Sequence, residues 1–204
     1  MKTPKFWYRS KSFYQILLMP LTSIWILGNY FRKLFSNPIK FNIPVICIGN
    51  LIAGGAGKTP VTIKVASILI KKGYNVHIVK KQYKSKNKER VILVNENSNP
   101  LIAGDEAILS AKVAKTWLTK NRAFGINKAI DCGAELVILD DGYQDYSIKK
   151  DFNILTVKES QEFGNKSLIP AGPLRENIEE GLNRADHIFY YGSSTLFKKK
   201  YLRN

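Results

Sequence analysis

Apolar and polar positions along this 204-residue chain fall into blocks with the lengths of buried strands and amphipathic helices. The apolar run Val45-Ile46-Cys47-Ile48 predicts a strand, and a glycine-rich turn from Gly49 to Pro60 follows it. From Val61 to Lys72 apolar residues recur at 61, 65, 68 and 69, and the pattern stops at Gly73, as a helix does. Asn75–Lys80 and Arg90–Val94 read as two further strands. A helix is expected near Asp105, where Asp105 and Glu106 suit its positive N-terminus. Another, around Ala123–Cys132, leads into Leu136-Val137-Ile138-Leu139 and the paired Asp140-Asp141. Four apolar residues ending in carboxylates describe a buried parallel strand with acids at its C-terminal edge, where open α/β sheets place ligands. A last strand-like run covers Ile188–Tyr191.

The turn reads GNLIAGGAGKTP. Between a strand and a helix, such a turn aims successive backbone N–H groups of Gly54, Gly55, Ala56 and Gly57 at one point, a nest for phosphate oxygens. Lys58 would then reach the β- and γ-phosphates, and the Thr59 hydroxyl would hold Mg²⁺. The common motif has glycine five positions before Gly57, where this chain has Ile52, so the match is relaxed. Pro60 suits a first helical turn, where its missing N–H costs nothing. Asp140 and Asp141 would coordinate Mg²⁺ directly or through water. Asp105 is either an N-cap or the carboxylate base that phosphoryl transfer to a hydroxyl needs, and spacing alone leaves both open. The fold class expected is α/β, a P-loop NTPase-like sandwich with a mostly parallel sheet over residues 41–204. ATP and Mg²⁺ are the implied cofactors.

Residues 1–40 form a separate segment. Between Lys11 and Arg32 lie twenty residues without a charge, flanked by basic residues on both sides. That length would span a bilayer, but Pro20 interrupts it, and Gln15, Thr22, Ser23 and Asn29 are polar. Aromatic residues collect toward both ends, as interfacial anchors do. A kinked amphipathic helix lying in the cytoplasmic leaflet is the preferred expectation, ahead of a spanning helix or a buried one. A cleaved signal peptide is disfavoured, because no small-residue cleavage site follows and the phosphate loop would be exported away from ATP.

Charge sharpens this picture. The net charge is +16, and no Asp or Glu precedes Glu89, while 16 Lys and Arg do. An anionic partner is favoured: acidic lipid or a phosphorylated substrate. Nucleic acid is not expected, because the basic excess overlaps an apolar segment rather than a reading motif. Cys47 and Cys132 lack metal-ligand spacing and fit a reducing compartment. His77 and His187 are lone histidines in strand-like runs, read as core or surface residues rather than ligands or bases.

Four motifs occur in order: the GNLIAGGAGKTP loop, Gly104-Asp105-Glu106, Asp140-Asp141-Gly142-Tyr143-Gln144, and Phe163-Gly164-Asn165 with Leu168-Ile169-Pro170-Ala171-Gly172-Pro173-Leu174-Arg175-Glu176. Together they resemble the tetraacyldisaccharide 4′-kinase (lipid A 4′-kinase) family over nearly the whole chain. The resemblance implies transfer of the ATP γ-phosphate to the 4′-hydroxyl of an acylated glucosamine disaccharide monophosphate. It also implies docking on anionic lipid at the cytoplasmic face of a bacterial inner membrane. By the same resemblance Lys58 and Thr59 serve phosphate and Mg²⁺, Asp105 is the catalytic base, and Asp140 and Asp141 are the Mg²⁺-associated pair. Arg175 and Glu176 lie near the reacting groups.

There are three departures from the family pattern. Lys80-Lys81-Gln82-Tyr83 stands where the family has Ser-Arg-Gly-Tyr, and Lys81 would supply the arginine's charge without its fork. Asp145 stands where a histidine commonly follows the Asp-Asp-Gly motif. The family also continues past Asn204, so the chain resembles the front two-thirds of such a kinase. The competing expectation is a non-catalytic remnant or half of a split enzyme that binds membrane or nucleotide. A membrane-positioning P-loop ATPase is weaker, because Ala53 stands where that class has a signature lysine.

Overall fold

A computed structural model describes residues 3–9, 12–82, 91–193, 195, 197 and 201. The lysine-rich stretch ending at Arg90, with Tyr83 in it, and the basic tail at 198–200 lie outside the described residues. In chain order, a 3₁₀ turn at Lys5–Tyr8 precedes α1 (Phe13–Leu34), β1 (Val45–Gly49), α2 (Lys58–Lys71) and β2 (Val76–Lys81). Then come β3 (Val91–Val94), the short α3 (Pro100–Ala103), α4 (Asp105–Ala111), β4 (Lys115–Thr119) and α5 (Arg122–Asp131). β5 (Leu136–Asp140), β6 (Phe152–Lys158), α6 (Ile178–Asn183) and β7 (His187–Tyr191) follow. The strands at 45–49, 76–81, 91–94, 136–140 and 187–191 and the helices α2, α4 and α5 stand where the apolar pattern predicts them. β4, β6, α3 and α6 are additions. β4 is buried yet carries only two strongly apolar residues, Trp117 and Leu118, so it escapes a search for apolar runs.

The elements fall into two compact units. One comprises residues 37–49 and 58–153; the other takes residues 1–36, 50–57 and 154–204. In the first, β5 runs parallel to β1 on one side and to β2 on the other, β2 runs parallel to β4, and β3 closes the edge antiparallel to β4. The register pairs Ile48 and Lys80 with Asp140. Parallel pairing places all three residues at one C-terminal edge. Val45, Cys47, Ile48, Ile78, Val79 and Val137–Leu139 are fully buried. α2 buries Thr59, Val61, Thr62 and Ala66, while Ile68 and Ile70 are exposed. Its inward stripe therefore runs along 62 and 66 rather than along 65, 68 and 69.

In the second unit β6 pairs parallel with β7. Its largest element is α1, which continues through Pro20 and buries no residue. The polar side chains of α1 bind inward: Gln15 Nε2 donates to Ser167 Oγ (2.9 Å), and Trp25 Nε1 and Asn29 Nδ2 both donate to the Arg175 carbonyl (3.0 Å each). Lys33 pairs with Glu180 at 3.3 Å. Its apolar side chains face outward, including Phe13, Leu17, Ile24, Leu27 and Phe31. Among the described residues no helix is long and apolar enough to cross a membrane.

His77 is a core residue, as expected. It is fully buried in β2, and Trp117 Nε1 donates to its Nδ1 at 3.2 Å. Burial, and then the charge of Lys115, pull its pKa from 6.5 to about 4. Between those values the unfolded chain binds a proton that the folded chain refuses, so stability is full above pH 6.5 and falls as pH drops toward 4. Wild type should lose roughly 2 kcal/mol from this group alone between pH 7.5 and 5. Urea midpoints at the two pH values, compared with those of His77→Leu, measure it. An equal pH dependence in the variant would remove His77 from the account.

Candidate active site

The edge formed by β1, β5 and β2 carries the acidic end of the site. Asp140 is the last residue of β5 and only 3% exposed. Thr59, in the first turn of α2, sits with its Oγ1 3.2 Å from Asp140 Oδ2 and 3.0 Å from Glu106 Oε2. One hydroxyl has one proton, so Thr59 donates to one carboxylate at a time. Lys80 Nζ lies 2.5 Å from Asp140 Oδ2, 3.5 Å from Thr59 Oγ1 and 3.8 Å from Glu106 Oε2. Lys58 Nζ stands 3.6 Å from Asp141 Oδ1. One ammonium and two carboxylates thus meet around the Thr59 hydroxyl, and Lys58 with Asp141 forms a separate pair.

Asp141 adopts a positive φ of 60°, a region that non-glycine residues rarely occupy. The fold over-determines this conformation. The Asp141 N–H donates to the Ile48 carbonyl at 2.9 Å, and Arg122 Nη2 donates to the Asp141 carbonyl at 2.6 Å. Arg122 opens α5 behind the Asn121 cap and is 4% exposed; its Nη1 pairs with Asp145 Oδ2 at 2.7 Å. A cation is poorly placed at a helix N-terminus, and the Asp145 carboxylate offsets it. Burial pushes the Asp145 carboxyl up. The Ser147 hydroxyl, Arg122 and the Ser147 amide outweigh burial and hold it below the ordinary carboxylate value. Two glycines let this edge close. A Cβ on Gly49 would stand 2.4 Å from Tyr143 Cβ, and one on Gly142 would stand 2.9 Å from Leu139 Cβ.

The glycine turn itself belongs to the other unit, where it is tied to the later motif. Ala53 N–H donates to the Pro173 carbonyl (2.7 Å), Arg175 N–H donates to the Leu51 carbonyl (2.8 Å), and Ile52 bridges antiparallel to Leu174. Gly54 and Gly57 have positive φ, 131° and 75°. Gly57 lies against the Tyr191 ring, which a Cβ would meet at 2.9 Å. Gly55 is open around its Cα and Ala56 is buried. Arg175 is half-buried, and Glu176 is buried in an ion pair with Arg184.

Of the residues expected to act, Lys58, Thr59, Asp140 and Asp141 come together in one unit. Asp105 is exposed at the start of α4 and makes no hydrogen bond or ion pair among the described residues. Its neighbour Glu106 is the acid that reaches the site. Sequence reasoning also passed over Lys80 and Arg122. Lys80's signal was a lysine ending a buried run, one residue before the edge; Arg122's was its place directly after an Asn cap. The Thr59 hydroxyl and the Asp140 carboxylate form a donor set that suits a hard divalent cation such as Mg²⁺. The Lys80 ammonium touches the same oxygens.

A parallel α/β sheet, a glycine turn leading into a helix, and carboxylates at the end of a buried strand define the P-loop class of nucleotide-binding folds. Within that class the chain belongs to the tetraacyldisaccharide-1-P 4′-kinase family, whose model matches residues 14–201. It is 39% identical over 196 residues to the tetraacyldisaccharide 4′-kinase of Parvibaculum lavamentivorans, covering 94% of this chain and 57% of that one. With the Rhodospirillum rubrum protein of the same name it shares 38% over 195 residues, 96% of this chain and 59% of that one. A crystal structure of LpxK from Aquifex aeolicus, an "apo" form in complex with ATP, superposes with a TM-score of 0.76 at 30% identity. It covers 93% of this chain, which covers 61% of it. The chain therefore spans less than two thirds of the length of these relatives.

Removing the guanidinium in Arg122→Ala leaves Asp145 and the Asp141 carbonyl uncompensated and should cost about 2–3 kcal/mol. The Asp145 contribution is present above the ordinary carboxylate pKa and is lost as pH falls through the lower folded value. Wild type and Arg122→Ala should therefore converge in urea stability on acidification. Equal stability at neutral pH would show that the pair contributes nothing.

Proposed function

We propose that this chain binds ATP and transfers its γ-phosphate to the 4′-hydroxyl of a tetraacylated glucosamine disaccharide 1-phosphate. The observation that carries the reading is the convergence of Lys58, Thr59, Asp140 and Asp141 in one unit, with Lys58 and Thr59 following the glycine turn directly in sequence, in a chain of this family. In this reading the backbone of Gly54–Gly57 holds the phosphates, and Lys58 leaves Asp141 to neutralise the transferring group. Thr59 and Asp140, with Asp141, would hold Mg²⁺, which when bound spreads the charge of the β- and γ-phosphates. Asp105, solvent-facing and unpaired among the described residues, accepts the proton of the sugar hydroxyl. Arg175 and Glu176 orient the acceptor.

Residues 1–40 serve as the membrane-associated segment and 41–204 as the kinase core. The inward polar and outward apolar faces of α1 support its lying in the lipid interface at the cytoplasmic side of an inner membrane, and the basic N-terminal half suits anionic headgroups. Between α1 and residues 166–179 runs an open groove of about 610 Å³. Met19, Ile26 and Leu168 line it beside Lys166, a mixed surface suited to an acylated, phosphorylated sugar.

Label from γ-phosphate-labelled ATP should pass to the tetraacylated disaccharide 1-phosphate in detergent micelles. Lys58→Ala and Asp105→Ala should each reduce the rate on the order of a hundredfold or more. No transfer by folded protein, with a full-length relative active in the same assay, would sink the proposal. On vesicles containing anionic lipid, the chain should co-sediment, and Ile24→Glu with Leu27→Glu should weaken that binding. Unchanged sedimentation would move the membrane contact away from α1.

A further inference from the structure

The Lys80 side chain is 10% exposed and that of Asp140 2%. Its ammonium contacts Asp140, Thr59 and Glu106, whose oxygens are the set a hard cation would use. The lysine cannot withdraw by moving its backbone. In β2 it is paired in register with Leu118 of β4 on one side and Asp140 of β5 on the other. Only rotation of the side chain would vacate the position. An ammonium and a divalent ion on the same oxygens repel each other strongly where water is scarce.

We propose that Lys80 is a tethered cation occupying the divalent-metal position of this site, so that the nucleotide-free protein takes up a divalent ion there only when the Lys80 ammonium has left Asp140. This rests on the reading of Thr59 and Asp140 as the metal-holding pair. A buried aspartate next to an empty metal position would be costly, and Lys80 supplies its counter-charge without a bound ion. The arrangement makes metal entry depend on something that gives the ammonium another partner, and the oxygens of a bound polyphosphate have that chemistry.

Titration of the nucleotide-free full chain with Mn²⁺, following free Mn²⁺ by electron paramagnetic resonance, tests it. Wild type should leave the ion free. Lys80→Met and Lys80→Gln should each bind one Mn²⁺ more tightly, on the order of ten- to a hundredfold. The double variant Lys80→Met with Asp140→Asn should lose that site. Lys80 variants that bind no more tightly than wild type would overturn the proposal. So would a wild-type site that Asp140→Asn abolishes, and that result decides the matter even where the Lys80 variants do not fold. A fluorescent ATP analogue in the same preparations, with chelator present, reports separately on the phosphate loop. Nucleotide binding with unchanged Mn²⁺ affinity in the Lys80 variants would reject this inference and leave the kinase reading standing.

Discussion

Burial of the Asp140 carboxylate is the constraint around which one unit is organised. A charge at 3% exposure needs compensation within hydrogen-bond reach. Parallel strands supply it, because β5 between β1 and β2 brings the neighbouring strand's last inward residue beside its own. Lys80 is that residue, and the first turn of α2 adds the Thr59 hydroxyl. The next residue, Asp141, leaves the strand in a left-handed conformation that Arg122 and the Ile48 carbonyl fix. Arg122 is tolerable inside only because Asp145 accompanies it. Each buried charge thus calls in the next, and the chain of pairs runs from β2 to the loop after β5.

The other unit solves the opposite problem. Its helix α1 is rich in apolar residues, yet it attaches through polar groups: the indole of Trp25, the amides of Gln15 and Asn29, and the ammonium of Lys33. Trp7 adds a further indole, which donates to the Pro170 carbonyl at 3.0 Å. The loop that Trp7, Trp25 and Asn29 grip offers the Pro170 and Arg175 carbonyls, and polar side chains are their natural partners. The apolar face is then left over, which is the reverse of a helix packed on a core.

Much of this was legible. Strands of buried apolar residues declare themselves, which is why 45–49, 76–81 and 136–140 stand where expected. Gly49 and Gly57, the Asp140-Asp141 pair and the 163–176 block were likewise visible as residue types that only particular backbones or chemistries need. β4 was missed because two of its buried positions are the threonines Thr116 and Thr119, whose hydroxyls are satisfied locally by the Ala114 and Asn121 carbonyls. Lys80 and Arg122 were missed for another reason. A lysine or arginine in sequence reads as solvent-exposed, and only the register across β2 and β5, or the start of α5, reveals that its partner is buried beside it. Asp105 and Glu106 differ for the same reason: one position along a helix start decides which of two exposed side chains reaches Thr59.

The joint between the glycine turn and the later block bears on how the chain comes off the ribosome. Leu51 and Ala53 find their backbone partners about 120 residues downstream, at Arg175 and Pro173. β5, which carries Asp140, has both its strand partners, β1 and β2, earlier in the chain than the residues that the turn binds. The turn's own backbone partners are thus made long after the turn itself and after the three strands that surround Asp140.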